Sequence, residues 1–371
     1  MESEGALKNR ILKQLKESGE YLSGQRLCEM FGVSRTAVWK AVGALKKEGY
    51  RIDSVQNLGY KLLESPEIYG AEQIKEELTT QMLAEKVIFF EETGSTNTDC
   101  RALMEQEKCK NLLVAAANQN AGKGRRGRSW EAPKDTSISF SLGLCPDIPV
   151  EKASMLTLVM ALAVKQAIDR ETGLKTQIKW PNDIITGGKK ICGILTEMNL
   201  EMNSIDSVII GVGINYGQKS FAGELEDKAT SLVLAQRSLG TGLVAHFEPA
   251  EQENAKSEPV EQTQTERDLA GQESAGQLPS RARITAACIN QFEPLYKQFL
   301  KDQNLAFMKD EYEACMVNKD RQVCVLDPKE TYAAVAKGIT PEGELMVEKE
   351  DGTKVQVYAG EVSVRGVYGY V

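Results

Sequence analysis

Apolar residues recur at helical spacing through the first fifty positions. Leu7, Ile11, Leu12 and Leu15 make one stripe, Leu27, Met30 and Phe31 a second, and Ala37, Val38, Ala41, Val42 and Leu45 a third. Ser23 stands where it can cap the second helix, which Gly32 ends. Ser34 can cap the third, with Val33 before it as the staple residue and Gly49 as its close. Residues 50–52 and 59–62 then alternate around a polar turn, 54–57, as a hairpin does. Three short helices and a hairpin predict a winged helix-turn-helix over residues 1–64. The outward side of the third helix shows Arg35, Thr36, Trp39 and Lys40, with Lys46 and Lys47 at its end. Recognition helices enter the major groove by their N-terminal residues, so Ser34, Arg35, Thr36, Trp39 and Lys40 are the candidate DNA contacts. A winged helix that docks on another protein is the alternative.

Beyond an expected linker at 65–82 the period changes. Apolar runs at 87–90, 112–117 and 208–210, and the alternation of Ile138, Phe140 and Leu142 with serines, predict strands. Met155, Leu158, Val159, Leu162 and Ala163 keep helical spacing over 154–171. The reading is a mixed α/β domain at 83–316. Residues 244–282 interrupt it. Between 248 and 280 there are 8 acidic and 2 basic residues and almost no bulky apolar side chain, too little to offset ordering entropy. A flexible acidic insertion is expected there, with His246 and Phe247 incidental. After it, Ile284, Ala287, Cys288, Phe292, Leu295, Tyr296 and Phe299 form an amphipathic helix. Short strands at 321–325, 331–336, 344–348 and 362–365, separated by turn signals, predict a small β-barrel at 317–371. The fold class is multidomain α+β.

Charge sharpens this division. The net charge is −8, yet residues 1–63 hold 11 Lys and Arg against 7 Asp and Glu, a balance of +4 that leaves −12 for the rest. A basic module on an acidic body is the implication. Eight cysteines lie without C-x-x-C spacing and there is one histidine. Zinc, disulfide scaffolds and histidine catalysis are therefore disfavoured. No apolar stretch is long enough to span a bilayer and the N-terminus lacks a signal pattern, so a cytoplasmic protein without membrane contact is expected.

The densest chemistry is Gly122-Lys123-Gly124-Arg125-Arg126-Gly127-Arg128-Ser129-Trp130. Glycines let the backbone approach a ligand and Arg grips phosphate or carboxylate with two parallel bonds. The spacing fits G-x-G-x-x-G, but a dinucleotide site needs a helix after the third Gly. Here Pro133 and the serine alternation predict a strand. A kinase would need H-R-D and D-F-G, which are absent. A basic surface loop is the bland alternative.

Four further pieces accompany the loop: Ser95-Thr96-Asn97, Lys179-Trp180-Pro181-Asn182-Asp183, Lys190 to Glu197 in the pattern K-x-x-G-I-L-x-E, and Gly211-Val212-Gly213-Ile214-Asn215. In this order and over about residues 87–217 the chain closely resembles the biotin protein ligases, and its winged helix resembles that of their repressor-type members. The resemblance implies a central ligase fold and an SH3-like C-terminal domain. It also implies formation of biotinyl-5′-AMP from biotin and ATP, AMP-forming transfer of biotin to a lysine of a biotin carboxyl carrier protein, and biotin-responsive repression of biotin synthesis or uptake genes. Acetyl-CoA carboxylase is the implied acceptor, with pyruvate carboxylase a second candidate. Operator DNA, a homodimer formed with adenylate bound, and Mg²⁺ are implied as well.

By family position Lys190, Arg125, Arg128 and Asp183 are the catalytic candidates. Ser95, Thr96, Asn97, Gln119, Lys123, Gly124, Arg125, Lys190, Gly193 and Gly211 would hold biotin, with Gln119 on the ureido ring. Gly122, Arg125, Arg126, Arg128, Trp130, Gly213 and Asn215 would hold ATP. Lys189, facing the other way along its strand, is read as solvated. Lys123 stands where Arg is common, a point charge in place of a fork. Asp183 either ends a strand by a side-chain turn, or coordinates Mg²⁺ or orients the incoming lysine. Trp130 and Trp180 either stack on adenine or belong to the core, and core is the preferred reading of each. The alternatives are a lipoate-type ligase and a non-catalytic DNA-binding biotin sensor.

Overall fold

A computed structural model describes residues 4–47, 49–55, 58–64, 68–107, 110–133, 135–202, 204–240, 278–326, 330–358 and 363–366. Two units emerge, Met1–Ile68 and Tyr69–Val371.

The first unit holds helices α1 (Glu4–Ser18), α2 (Gly24–Phe31) and α3 (Arg35–Lys47) and the hairpin β1 (Arg51–Val55) with β2 (Gly59–Glu64). Leu7, Ile11, Leu15, Leu27, Val38, Ala41, Val42 and Leu45 close one core from the three stripes read above, whereas Met30 of the second stripe is exposed. Ser23 accepts the Arg26 N–H and Ser34 the Ala37 N–H, each at a helix start, and Gly32 leaves α2 at φ 66°. Ser54 lies in β1 opposite Tyr60 rather than in the turn. Gly59 has φ +115°, and a Cβ there would sit 2.0 Å from the Leu22 oxygen, so only glycine lets β2 pass the loop before α2.

In the second unit, α4 (Ala71–Glu77), β3 (Val87–Thr93), α5 (Thr96–Glu107), β4 (Asn111–Lys123), β5 (Ser129–Ala132), β6 (Ser137–Leu144), α6 (Met155–Thr172), β7 (Gln177–Lys179), β8 (Asp183–Thr186), β9 (Lys189–Glu201) and β10 (Ser204–Asn215) follow in turn. Helices α7 (Leu232–Gly240), α8 (Arg281–Asp302) and α9 (Lys309–Ala314) precede strands β11 (Gln322–Leu326), β12 (Thr331–Ile339), β13 (Leu345–Glu348), β14 (Lys354–Val357) and β15 (Ser363–Gly366). The central sheet runs β3-β4-β6-β10-β9-β8-β7, with β5 pairing β4. Among the described strands only β3 and β4 pair in parallel.

Alternate residues of these strands serve different faces. Leu113, Ala115, Val208 and Ile210 join α6 and α8 in the main core. Leu112, Val114 and Ile209 instead pack on Cys100 and Met104 of α5. This second face carries the site.

The expected linker needs correcting. Residues 71–77 are helix α4, with Ile74 fully buried. Asn290 and Glu293 of α8 hold the following segment by its backbone: Asn290 accepts the Thr79 N–H, and Glu293 accepts those of Gln81, Met82 and Leu83. Local composition gave no sign of a partner more than 200 residues away.

Of the expected insertion, 244–277 lies outside the described residues. Its far end is α8 itself, begun by Ser280, whose hydroxyl accepts the Arg283 N–H, and with Arg281 and Ala282 buried.

The C-terminal strands form one small antiparallel sheet in the order β14-β13-β12-β11-β15. Its Val323, Val325, Ala336, Leu345 and Val347 share the main core. No helix among the described residues is long and apolar enough to cross a membrane.

Candidate functional site

The cavity opens where α5 begins and where β4, β9 and β10 carry small residues. It encloses about 480 Å³ including its mouth, lined by Ser95, Thr96, Asn97, Gln119, Lys123, Gly124, Arg125, Trp130, Asn182, Lys190, Gly193, Ile194, Leu195, Gly211, Val212 and Gly213. All ten residues assigned to biotin from sequence line it. Of those assigned to ATP, Arg125, Trp130 and Gly213 do so.

The remaining ATP candidates stand elsewhere. Arg126 and Arg128 are exposed on the loop. Gly122 lies behind the wall, where a Cβ would come 2.6 Å from both Gln119 Nε2 and the Trp130 oxygen. Asn215 is buried, donates to the Thr230 oxygen at 3.0 Å and accepts from Gln218 at 3.3 Å. Its amide ties β10 to the next loop and does not line the cavity.

The basic loop is shaped by its own backbone. Residues 125–127 form a single 3₁₀ turn with Arg126 at φ 59° and Gly127 at φ 70°. The Gly124 N–H donates to the Arg128 oxygen at 2.7 Å, closing the loop between β4 and β5. No helix follows; the chain goes on into strands, as Pro133 and the serine alternation predicted.

Three ionic groups converge. Lys190 Nζ lies 2.6 Å from Asp183 Oδ1 and 5.4 Å from the centre of the Trp130 ring. Arg125 donates to Asn182 Oδ1 at 3.2 Å, and Asn182 in turn donates to the Ile194 oxygen at 3.0 Å. Burial lowers the Arg125 pKa, opposed by the attraction of Asp183, though a guanidinium stays charged. The site thus holds two cations about one carboxylate. Lys189 is not merely solvated: its ammonium donates to the Glu226 oxygen at 2.8 Å.

Trp180 and Trp130 part company. Trp180 is 1% exposed, in the core, with its indole N–H on the Gly343 oxygen at 3.1 Å. Trp130 is a cavity wall, which corrects the core reading. Its ring lies against β10 at Gly213, where a Cβ would come 2.6 Å from the indole. Gly213→Ala is expected to displace Trp130 and raise the KM for ATP about tenfold, or ~1.4 kcal/mol, with little change in melting temperature. An unchanged KM would show that the indole does not shape the nucleotide end.

Sequence reasoning missed Asn182 as a cavity residue, although it stands inside the K-W-P-N-D piece. It also missed Ser141, fully buried in β6 and bonded to both Thr96 and Asn97. Three serines alternating within an apolar strand were the available signal, since β6 is buried along its whole length.

Fold and site together define a carboxylate-activating ligase domain joined to a helix-turn-helix module. Residues 89–215 match the Biotin/lipoate A/B protein ligase family, residues 8–61 an HTH domain, and residues 320–365 the Biotin protein ligase C terminal domain. The chain is 32% identical over 361 residues to the Bifunctional ligase/repressor BirA of Bacillus spizizenii, covering 96% of this chain and 98% of that protein. It is 36% identical over 151 residues to the Biotin--[acetyl-CoA-carboxylase] ligase of Mycobacterium tuberculosis, covering 38% of this chain and 53% of that one. The biotin protein ligase of Aquifex aeolicus, solved with biotin and ATP, shares the fold at TM-score 0.57 and 24% identity, over 76% of this chain and 99% of that chain. The chain belongs to the biotin protein ligase family, with the domain order of its bifunctional ligase/repressors.

Proposed function

We propose that this protein joins biotin to a lysine of a carboxyl carrier protein in two steps and represses transcription when its carrier is scarce. The observation that carries the reading is the cavity itself, where three cations, Lys123, Arg125 and Lys190, and a set of neutral polar groups meet. In the first step a carboxylate oxygen of biotin bonds to the α-phosphorus of ATP and the bond to pyrophosphate breaks. Two anions must meet, so catalysis is a matter of alignment and of neutralising charge as it builds up. Lys190 and Arg125 supply that charge, with Lys123 beside them and Arg126 and Arg128 brought in from the loop. The Asp183–Lys190 pair keeps the ammonium aimed until a substrate anion competes for it.

In the second step a carrier lysine nitrogen bonds to the biotinyl carbonyl carbon and the bond to AMP breaks. A lysine of pKa near 10.4 must first lose a proton. Asp183, once Lys190 turns to the adenylate, would be the carboxylate that orients it.

Magnesium is expected with ATP. Among the described residues no cluster of three metal-ligating side chains exists, so Asp183 fits only as one carboxylate in a shell otherwise made by phosphates and water. There the ion would neutralise phosphate charge.

Biotin-dependent exchange of pyrophosphate into ATP tests the reading. Exchange with lipoate in place of biotin would favour the lipoate-type ligase, and absence of exchange with tight biotin binding would leave only a sensor.

Repression follows from the first unit. Arg35, Thr36, Trp39 and Lys40 are exposed along α3, Trp39 at 67%, and Arg35 is steadied by Gln25 of α2 at 3.0 Å. We propose that adenylate-bound protein dimerises and sets two such helices on a symmetric operator. By linkage the dimer then binds adenylate more tightly by the same factor. Arg35→Ala and Trp39→Ala are each expected to weaken binding to an operator selected from random duplexes by about 10–100-fold, or ~1–3 kcal/mol, and to leave ligation unchanged. Equal gel-shift affinity for mutant and parent would assign this face another partner.

A further inference from the structure

A hydrogen-bond chain runs beneath the cavity from its floor to a charged pair at the far side of α5. Asn97 donates its amide hydrogens to Glu197 Oε2 at 2.8 Å and to the Leu195 oxygen at 3.4 Å. Arg101, one turn along α5 from Asn97, lies 3.6 Å from the other Glu197 oxygen. Asn97 Oδ1 sits 2.6 Å from Ser141 Oγ, which is 2.7 Å from Thr96 Oγ1. Thr96 also meets Gln119 Oε1, through its N–H at 2.9 Å and its hydroxyl at 3.2 Å.

The chemistry of these groups orients the chain. An ionised carboxylate only accepts, so Glu197 compels Asn97 to present its NH₂ there. The Asn97 oxygen must then face Ser141, and it too only accepts. Ser141 has a single hydrogen and gives it to Asn97. The short Ser141–Thr96 contact is therefore a bond in which Thr96 donates, and the longer contact of the same hydroxyl with Gln119 Oε1 shares that one hydrogen. With its one hydrogen committed, Thr96 Oγ1 has lone pairs alone to offer a ligand. Gln119 is fixed in the same sense, because its oxygen takes the Thr96 N–H and its NH₂ is left as a donor. Asn97 cannot readily move aside: its oxygen fills the space above Gly211, 2.1 Å from where a Cβ would stand.

We propose that Glu197 is a positioning residue that fixes the polarity of this chain, and that the pocket selects a ring bearing N–H donors because of it. The inference rests on biotin being the ligand. A cyclic urea offers N–H to Thr96 and a carbonyl to a donor; a ring carbamate, with one N–H replaced by oxygen, sets lone pairs against lone pairs. Replacing Glu197 by the isosteric, uncharged Gln removes the compulsion. Its amide can donate as well as accept, Asn97 can turn over, and each hydroxyl can reverse.

The test measures adenylate formation by Glu197→Gln, Glu197→Asp and Ser141→Ala with biotin and with the two ring carbamates in which one or the other N–H is oxygen. Parent protein should prefer biotin over at least one carbamate in kcat/KM. Glu197→Gln should narrow that preference about tenfold, the effect of roughly one hydrogen bond turned from favourable to repulsive, through KM for biotin and with kcat within a few-fold of the parent. Glu197→Asp, which keeps the charge, should restore part of it. Ser141→Ala, which breaks the chain beyond Asn97, should narrow it likewise, and stands in if Glu197→Gln does not fold. A preference unchanged in Glu197→Gln and Ser141→Ala overturns the inference, as does a uniform loss of kcat and of ATP affinity with the preference intact, the mark of a mere clip between α5 and β9. Absence of any biotin-dependent adenylation in the parent would instead defeat the ligase reading.

Discussion

Lys190→Ala is expected to slow formation of biotinyl-adenylate by about 100–1,000-fold, since removal of one preorganised donor to a developing anion commonly costs ~2.7–4 kcal/mol. The ammonium does two things in the free protein. It balances Asp183 at 2.6 Å and lies against the Trp130 ring. Its loss leaves the half-buried Asp183 carboxylate next to the incoming phosphates, so repulsion adds to the missing attraction. Lys190→Arg should recover little, because the compact ammonium sits between Asp183 at 2.6 Å and the Trp130 ring, a geometry that a planar guanidinium does not reproduce. Melting of the first unit should not change. Single-turnover adenylation by Lys190→Ala at the parent rate would remove Lys190 from the chemistry and leave Arg125 as the principal cation.

Much of this site could be read from the sequence because its parts are local. A glycine-rich basic turn between strands, a Ser-Thr-Asn helix start and paired glycines in one strand each have a physical reason visible within a few residues. The winged helix was legible for a similar reason, its caps at Ser23, Gly32 and Ser34 being adjacent to the stripes they bound. What stayed hidden depends on contacts far apart in the chain. Trp130 reads as core by size, yet β5 is a short strand hung on β4, and only its meeting with Gly213 makes the ring a cavity wall. Asn215 reads as a ligand contact by position, but in the fold it lies off the cavity lining, where its amide ties β10 to Thr230 and Gln218. Strand β14 is four residues with two small apolar side chains, Val355 and Val357, and escapes a pattern search. Ser141 takes its meaning from Asn97, 44 residues earlier, and from Glu197, 56 later. Helix α4 depends on α8, across the segment whose composition announces an insertion.

Glu293→Ala is expected to destabilise the second unit by about 3 kcal/mol at pH 7, because it leaves a set of backbone donors without their acceptor at ~1–3 kcal/mol for each buried one. The Glu293 side chain is 7% exposed and takes the N–H groups of Gln81, Met82 and Leu83 at 3.0–3.1 Å and the Lys297 ammonium at 2.6 Å. These bonds secure the turn that brings α4 back to β3, and β3 is the edge strand that leads into the Ser-Thr-Asn helix start. For a unit of this size the melting temperature should fall by roughly 5 °C.

The pH dependence carries its own sign. Burial pushes the Glu293 pKa up, but Lys297 and the three N–H groups together outweigh it and hold the carboxyl below its ordinary range. A depressed carboxyl contributes stability that is present above the unfolded value, about 4.3, and is lost as pH falls through the folded one. The gap in melting temperature between parent and Glu293→Ala should therefore be full at pH 6–7 and narrow below about pH 4.3, as the parent's own carboxylate takes up a proton. Other carboxylates lower both proteins alike, so the difference isolates Glu293. A gap that is constant from pH 7 to pH 4 and below would mean that the side chain acts by packing alone, and that the 77–83 segment is held by Asn290 and by its apolar residues instead.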